Sequence, residues 1–246
     1  MTTVAGATPP RAPTRSATLV AAASRALAVA GIFDMNGHVS VREGSVAYVS
    51  SHGASRLALR AEEVAVVRIA DGKELEHTPP SEMPLHLGAY RARPDVGAVV
   101  HAHPLFATTF AVAGRPLVCA FNAGAWFGHD IPVFDDPALV RDEAGGRTVA
   151  GVLADRRAAL LRGHGVLVVG EDIPTVVAGA ILLEDSARRL WHAYAIGEPR
   201  RFTDAEIETV RTQTSSPRVI RKWWLDALER AKLAGVLDDI DISTLV

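Results

Sequence analysis

The sequence of 246 residues predicts an α/β fold. Short runs of β-branched and other apolar residues, bounded by glycines and polar turns, occupy its central part. Longer segments with a helical spacing of apolar residues lie toward both ends. No internal repeat and no linker interrupts this pattern. We therefore expect a single domain over residues 16–246, preceded by a disordered Thr/Pro/Ala/Arg-rich tail over residues 1–15.

Each element is predicted from its own local pattern. Strands are expected where apolar and β-branched residues concentrate, at 39–42, 48–51, 64–69, 96–101, 158–161 and 166–169. Helices are expected where the spacing is helical and a cap, glycine or proline marks an end, at 17–30, 81–93, 104–113, 172–194, from 203 onward and at 217–233. Asp71-Gly72 predicts a tight hairpin turn. Ser81 is expected to cap the second helix, and residues 115–121 are expected to be extended.

Composition and charge exclude several classes of protein. The 26 basic residues nearly balance the 28 acidic ones, which argues against a nucleic acid or an anionic membrane as partner. Cys119 is the only cysteine, so an intramolecular disulfide and a thiolate-rich metal site are excluded. No apolar run is long enough for a transmembrane helix. The stretch after Arg15 resembles a weak signal peptide, but Arg25 interrupts it, and we expect a cytoplasmic protein.

The most informative pattern is His101-Ala102-His103, at the end of the apolar strand predicted at 96–101. Residues i and i+2 of a strand face the same side, so both imidazoles can bind one metal ion. The pattern is equally consistent with two polar histidines at a surface strand end. Taken alone, it leaves both interpretations open.

A second pattern is Arg162-Gly163-His164-Gly165, which lies between two apolar runs. Glycines on both sides of His164 allow the backbone to approach a bound group closely. A glycine-lined turn with an incidental histidine is the simpler explanation of this segment by itself.

Glu82 and His86 are four residues apart and share one face of the predicted helix. Glu82 is either a helix-start acid favoured by the helix dipole or a carboxylate that binds metal and moves protons. We expect His86 to pack or to form hydrogen bonds rather than to bind metal. His38 follows a tight turn, and His52 lies in a polar loop suited to an anionic substrate.

Taken together, these segments resemble the class II aldolase/adducin family. They occur in the family's order and spacing, and the resemblance covers about residues 17–200. The matching segments are Gly37-His38-Val39-Ser40-Val41-Arg42, Pro80-Ser81-Glu82, Tyr90 to Val96, Val99-Val100-His101-Ala102-His103 and Arg162-Gly163-His164-Gly165.

The resemblance implies a three-layer α/β/α fold with a central, mostly antiparallel sheet. It also implies a homotetramer with active sites at subunit interfaces. By the same resemblance His101, His103 and His164 are ligands of one divalent metal ion per chain, and Glu82 is the fourth ligand or the catalytic acid/base. Mn²⁺ or Zn²⁺ is the expected ion, with Fe²⁺ and Co²⁺ as alternatives.

The sequence departs from the family's sugar-phosphate aldolases at three places. Those enzymes usually have Gly-Asn where this chain has Gly37-His38, and Ser-Ser where it has Pro80-Ser81. The replaced groups help to hold phosphate. An approximate alignment places Asn122 where the aldolases have a tyrosine that protonates the aldehyde oxygen, and an amide cannot serve as an acid. Each departure argues against a phosphosugar aldolase.

The combination of Gly-His-Val-Ser and Arg-Gly-His-Gly is more similar to the family's decarboxylase branch, whose substrates are hydroxylated aromatic or pyridine dicarboxylic acids. We therefore expect a metal-dependent decarboxylase of such an acid, with Glu82 as the first candidate to deliver the proton and a metal-bound water as the second. The alternatives are a class II aldolase, a non-haem iron oxygenase and a non-catalytic adducin-like interaction module. The residues expected to contact the small-molecule substrate are His38, Ser40, His52, Ser81, Asn122 and Arg162.

Overall fold

A computed structural model describes residues 14–245 and contains an eight-stranded sheet. The strands are β1 (His38–Glu43), β2 (Val46–Val49), β3 (Ala65–Arg68), β4 (Glu74–Glu76), β5 (Ala98–Ala102), β6 (Val133–Phe134), β7 (Ala158–Leu161) and β8 (Gly165–Gly170). Their spatial order is β4-β3-β2-β1-β5-β8-β7-β6. Every pairing is antiparallel except that of β6 with β7. The expectation of a mostly antiparallel sheet is confirmed.

Helices cover both faces of this sheet. They are α1 (Arg15–Val29), α2 (Met83–Ala92), α3 (Leu105–Val112), α4 (Glu143–Leu153), α5 (Ile173–Ile196), α6 (Asp204–Thr214) and α7 (Pro217–Leu233). One apolar core packs α1, α3, α5 and α7 against the sheet, and a second core packs α2 and α4 against the opposite face. The described residues therefore form the three-layer α/β/α arrangement.

The alternation of side chains along β5 determines on which face of the sheet His101 lies. Ala98, Val100 and Ala102 contribute to the core beneath α1 and α5, whereas Val99 contributes to the core beneath α2 and α4. Because successive strand residues point to opposite faces, His101 lies on the α2 side of the sheet. The fold thus turns a strand-end histidine toward the helix that follows Glu82.

Helix α4 was not predicted, and its glycines explain why. Glycine lowers helix propensity, so the segment 143–153 gives a weak helical signal. In the structure a Cβ atom on Gly146 would overlap the carbonyl oxygen of Pro84, and one on Gly88 would overlap the carbonyl oxygen of Gly146. These glycines allow α2 and α4 to pack backbone against backbone, which local propensity does not reveal.

The starts of two helices differ from those expected. Ser81 does not cap α2: Glu82 occupies the N-cap position, and its side chain makes no capping hydrogen bond. Residues 1–13 of the predicted tail lie outside the described residues, and α1 begins at Arg15. Within residues 14–245, no helix has both the length and the apolar character needed to cross a membrane.

Candidate metal centre and active site

Strand pairing brings three distant sequence segments together at one end of the central strands. His38 of β1 pairs with His101 of β5. Ala102 of β5 pairs with Val166 of β8, so the residue after β5 meets the turn that joins β7 to β8. His164 lies in that turn. The three segments that the sequence singled out are thus neighbours in space.

Two glycines shape the turn that carries His164. Gly163 has φ of +65°, a left-handed conformation that glycine adopts without steric cost. A Cβ atom on Gly165 would overlap the carbonyl oxygen of Ala102 and would lie 2.7 Å from Cδ2 of His103. Gly165 therefore allows the turn to lie directly against the end of β5.

Glu82, His101, His103 and His164 form one cluster whose potential ligand atoms all lie within 4.8 Å of one another. Nε2 of His103 lies 3.1 Å from Nε2 of His101. Oε2 of Glu82 lies 3.5 Å from Nε2 of both His101 and His164. Three imidazoles and one carboxylate are a donor set that suits a divalent transition metal and leaves coordination positions for substrate.

The outer hydrogen bonds show that this cluster fits a cation. Nδ1 of His101 donates to the carbonyl oxygen of Val166 at 3.0 Å, and Nδ1 of His103 donates to the Asp34 carboxylate at 3.1 Å. In a neutral imidazole this leaves Nε2 as a bare acceptor. Two such acceptors and a carboxylate oxygen repel one another at these distances unless positive charge lies between them. Carbonyl and carboxylate partners of this kind also orient metal-binding histidines.

The electrostatics keep the ligand atoms in their binding forms. Burial lowers the pKa of His101, which favours the neutral imidazole that a metal requires. Burial raises the pKa of the Glu82 carboxyl, but its contacts with His101 and His164 outweigh burial and hold that pKa well below its usual range. Oε1 of Glu82 accepts from the backbone N–H of Val140 at 3.3 Å, which leaves Oε2 for the cluster. Glu82 is therefore an ionised, oriented carboxylate.

A cavity of about 890 Å³ opens beside the cluster. Glu82, His103 and His164 line it, whereas His101 is fully buried. Among the residues expected to contact substrate, three line this cavity: His38, His52 and Ser81.

Ser40 belongs instead to a buried hydrogen-bonded chain behind His38. Nδ1 of His38 lies 2.7 Å from Nε2 of His86, Nδ1 of His86 lies 2.7 Å from Oγ of Ser40, and that oxygen lies 2.6 Å from the Tyr90 hydroxyl. Burial lowers the pKa of His86 to about 3, so its imidazole is neutral. His86 thus forms hydrogen bonds, as expected, and it lies outside the metal cluster.

The hydrogen bonds of this buried chain have a preferred direction, which runs from Tyr90 to His38. Within the described residues Ser40 is the one hydrogen-bond partner of the Tyr90 hydroxyl. Because buried O–H groups almost always donate a hydrogen bond, the Tyr90 hydroxyl donates to Ser40. Ser40 then donates to Nδ1 of His86, and Nε2 of His86 donates to Nδ1 of His38. The remaining proton of neutral His38 is consequently on Nε2. Nε2 of His38 is therefore a hydrogen-bond donor, and His38 lines the cavity.

The other two expected substrate residues lie elsewhere. Asn122 is exposed and does not line the cavity. Arg162 forms an ion pair with Asp135 and also lies outside the cavity lining. Sequence reasoning missed Asp34, the hydrogen-bond partner of His103, and Arg56, a buried arginine of the cavity wall. Both lie in irregular segments without a spacing pattern to signal them.

Comparison with known proteins identifies the family. The model of the class II aldolase and adducin N-terminal domain matches residues 18–191, and the chain belongs to this family. A 3,4-dihydroxyphthalate decarboxylase from Arthrobacter keyseri is 33% identical over 184 residues, covering 68% of this chain and 74% of that protein. A 5-methylthioribulose-1-phosphate/5-deoxyribulose-1-phosphate aldolase from Rhodospirillum rubrum is 29% identical over 175 residues, covering 71% and 79%.

Solved structures agree on the fold. A crystal structure of an aldolase II superfamily protein from Pseudomonas syringae superposes with a TM-score of 0.79 at 19% identity, covering 94% of this chain and 96% of that one. The family, the four-residue cluster and the two kinds of relative define an enzyme of the class II aldolase lyase type.

Proposed function

We propose that the protein is a divalent-metal-dependent decarboxylase of a hydroxylated aromatic mono- or dicarboxylic acid. The observation that carries the proposal is the ionised, oriented Glu82 carboxylate beside three histidine nitrogens at the wall of an open cavity. The similarity to a dihydroxyphthalate decarboxylase supports the choice of substrate class. When bound, a divalent ion supplies a Lewis acid that stabilises negative charge on a substrate oxygen.

The cavity favours decarboxylation over aldol cleavage of a phosphosugar. An imidazole, His38, lines it where the phosphosugar enzymes of the family usually have an amide. Asn122, which an approximate alignment places at the position of their acidic tyrosine, is exposed outside the cavity.

Glu82 performs the proton transfers in this proposal. Its carboxylate accepts the proton of the substrate hydroxyl group beside the carboxylate that leaves, and a bound divalent ion would make this transfer feasible by lowering the pKa of that hydroxyl. The bond from the ring carbon to that carboxylate breaks, CO₂ departs, and the electron pair stays on the ring carbon. Glu82 then returns its proton to this carbon and is ionised again. The product phenolate takes a proton from water, which balances the reaction.

A panel of substrates tests the proposal. Hydroxylated benzoic and phthalic acids are incubated with the metal-loaded enzyme, beside hydroxy-ketone and ketose phosphates, and CO₂ and aldehydes are measured. We expect CO₂ from at least one aromatic acid and, in D₂O, deuterium at the vacated ring carbon. Aldehyde from a ketose phosphate without CO₂ from any acid would establish the aldolase alternative instead. Oxygen consumption with product formation would establish the iron oxygenase.

The role of Glu82 is tested with Glu82→Gln. The amide keeps the size of the side chain but cannot exchange protons, so we expect the rate of CO₂ release to fall by about 10²- to 10⁴-fold. Glu143→Gln, at the exposed start of α4, is the matched control and is expected to leave the rate unchanged. Equal rates for Glu82→Gln and the wild type would remove Glu82 from the mechanism.

We further propose Mn²⁺ or Zn²⁺ as the resident ion and a homotetramer with its active sites at subunit interfaces. Three imidazoles and a carboxylate bind either ion, and they also accept Fe²⁺ or Co²⁺. Light scattering combined with elemental analysis of the native protein tests both statements. A monomer that turns over at the full rate would overturn the interface assignment.

A further inference from the structure

Arg56 is a buried cation with few partners. The residue is 7% exposed and lines the cavity beside the cluster. One nitrogen, Nη1, donates to the carbonyl oxygen of Ser51 at 3.0 Å. Its Nε is buried and has no hydrogen-bond partner in the structure. None of the ion pairs among residues 14–245 includes Arg56.

The carboxylates of the cavity are already engaged. Asp34 accepts hydrogen bonds from His103 and from the backbone N–H groups of Asn36 and Gly37. Glu82 belongs to the metal cluster. Asp34 acts on Arg56 through its charge, which opposes the lowering of the arginine pKa by burial, but the two form no ion pair. The guanidinium therefore lacks a counter-ion within the described protein.

A buried charge without a partner is costly, and proteins retain one where a ligand supplies the partner. Arginine presents a planar set of donors that matches a carboxylate or a phosphate. His38, held as a donor by the hydrogen-bonded chain behind it, lines the same cavity as Arg56. An arginine and an imidazole N–H that line one cavity can together receive an anionic oxygen group.

We propose that Arg56 binds a second anionic group of the substrate, a carboxylate apart from the one that leaves, and so selects dicarboxylic over monocarboxylic aromatic acids. The anion-binding role follows from the geometry of Arg56, whereas the assignment to a carboxylate rests on the proposed decarboxylase function. Phosphate shares the recognising chemistry and is the second arm of the test.

Binding is measured without turnover, so the outcome does not depend on decarboxylation. Phthalate, benzoate and inorganic phosphate are titrated calorimetrically into the metal-loaded wild type, Arg56→Met and Arg56→Lys. We expect the wild type to bind phthalate more tightly than benzoate, and Arg56→Met to lose about 10- to 100-fold in phthalate affinity with benzoate unchanged. Arg56→Lys keeps the charge without the planar donors, so an intermediate loss is expected.

Arg60→Met is the matched control, because this arginine lies on the same segment, is exposed and does not line the cavity. It removes the same charge and is expected to leave both affinities unchanged. Thermal unfolding without ligand separates a binding role from a structural one. If Arg56 is a binding residue, Arg56→Met should unfold at a temperature no lower than that of the wild type, because the substitution removes an unpaired buried charge.

Three outcomes decide the proposal. An unchanged ratio of phthalate to benzoate affinity in Arg56→Met would overturn it, as would equal binding of both acids by the wild type. If Arg56→Met does not fold, the same ratio in Arg56→Lys decides in the same way. Binding of phosphate rather than phthalate that depends on Arg56 would uphold the anion site, overturn its carboxylate assignment and count against the decarboxylase.

Discussion

The substitution Gly165→Ala tests whether close backbone packing positions the histidine cluster. The added Cβ atom would overlap the carbonyl oxygen of Ala102 and approach Cδ2 of His103 to 2.7 Å. Real Cβ contacts essentially never fall below 3.0 Å, and a strand carbonyl moves only with its strand. The turn between β7 and β8 must therefore shift away from the end of β5.

The expected magnitude follows from this overlap. Overpacking of a well-packed site costs about 1–3 kcal/mol, so the free energy of unfolding of the metal-free protein should fall by that amount. Metal–ligand distances tolerate only about 0.2 Å of error, and the shift moves His164 relative to His103. We expect the metal affinity to fall by about 10- to 100-fold, the range seen when ligand orientation is disturbed.

Urea unfolding of the metal-free protein and calorimetric metal titration measure the two effects. Gly151→Ala in α4 is the matched control, because nothing lies within 4 Å of its added Cβ atom. It replaces a helical glycine and should stabilise the protein by about 0.5–1 kcal/mol with unchanged metal affinity. Wild-type stability and metal affinity in Gly165→Ala would refute the argument that this close contact builds the site.

Three further predictions follow from other contacts. Tyr90→Phe removes the terminal donor of the buried hydrogen-bonded chain, so we expect a loss of about 1 kcal/mol in stability by urea unfolding. Because Ser40 still donates to His86, the proton of His38 should stay on Nε2 in the NMR spectrum of its ring nitrogens; a proton on Nδ1 of His38 in the wild type would contradict the assigned direction. The hydrogen bond from Arg25 holds the pKa of Asp239 below its usual 3.8. The stability that this contact contributes is therefore present above pH 3.8 and is lost as pH falls through the lower pKa of the folded state. Asp239→Asn should lose its full amount of unfolding free energy at about pH 7, and unfolding scans below about pH 4 should show this difference from the wild type shrink. Metal at 100-fold its Kd should stabilise the wild type by about 2.7 kcal/mol and His101→Ala by much less, and an equal gain in both would place the ion elsewhere.

Much of the fold was predictable because its strands and the long C-terminal helices have strong local patterns. The i, i+2 spacing correctly indicated that His101 and His103 face one side, and their Nε2 atoms lie 3.1 Å apart. The glycines around His164 predicted a close backbone approach to a bound group, whereas the close approach that the structure shows is that of Gly165 to the end of β5. Local sequence chemistry was sufficient wherever one strand or one turn determined the geometry.

The remaining features depend on tertiary contacts that no local pattern encodes. Ser40 was predicted to contact substrate, yet its strand face turns it toward His86 and Tyr90. Arg56 gains its significance only from burial beside the cavity. Helix α4 depends on the close contact of Gly146 with α2. Each case requires knowledge of what packs against a residue from a distant segment.

The metal content of the native protein tests the central claim most directly. Protein purified without an affinity tag is analysed for bound elements, beside the double variant His101→Ala/His103→Ala. The cluster of Glu82 with three histidines predicts about one divalent ion per chain in the wild type and a loss of that ion in the double variant. A wild type that binds no divalent ion even after reconstitution, or a double variant that retains it, would contradict the assignment of this cluster as the metal centre.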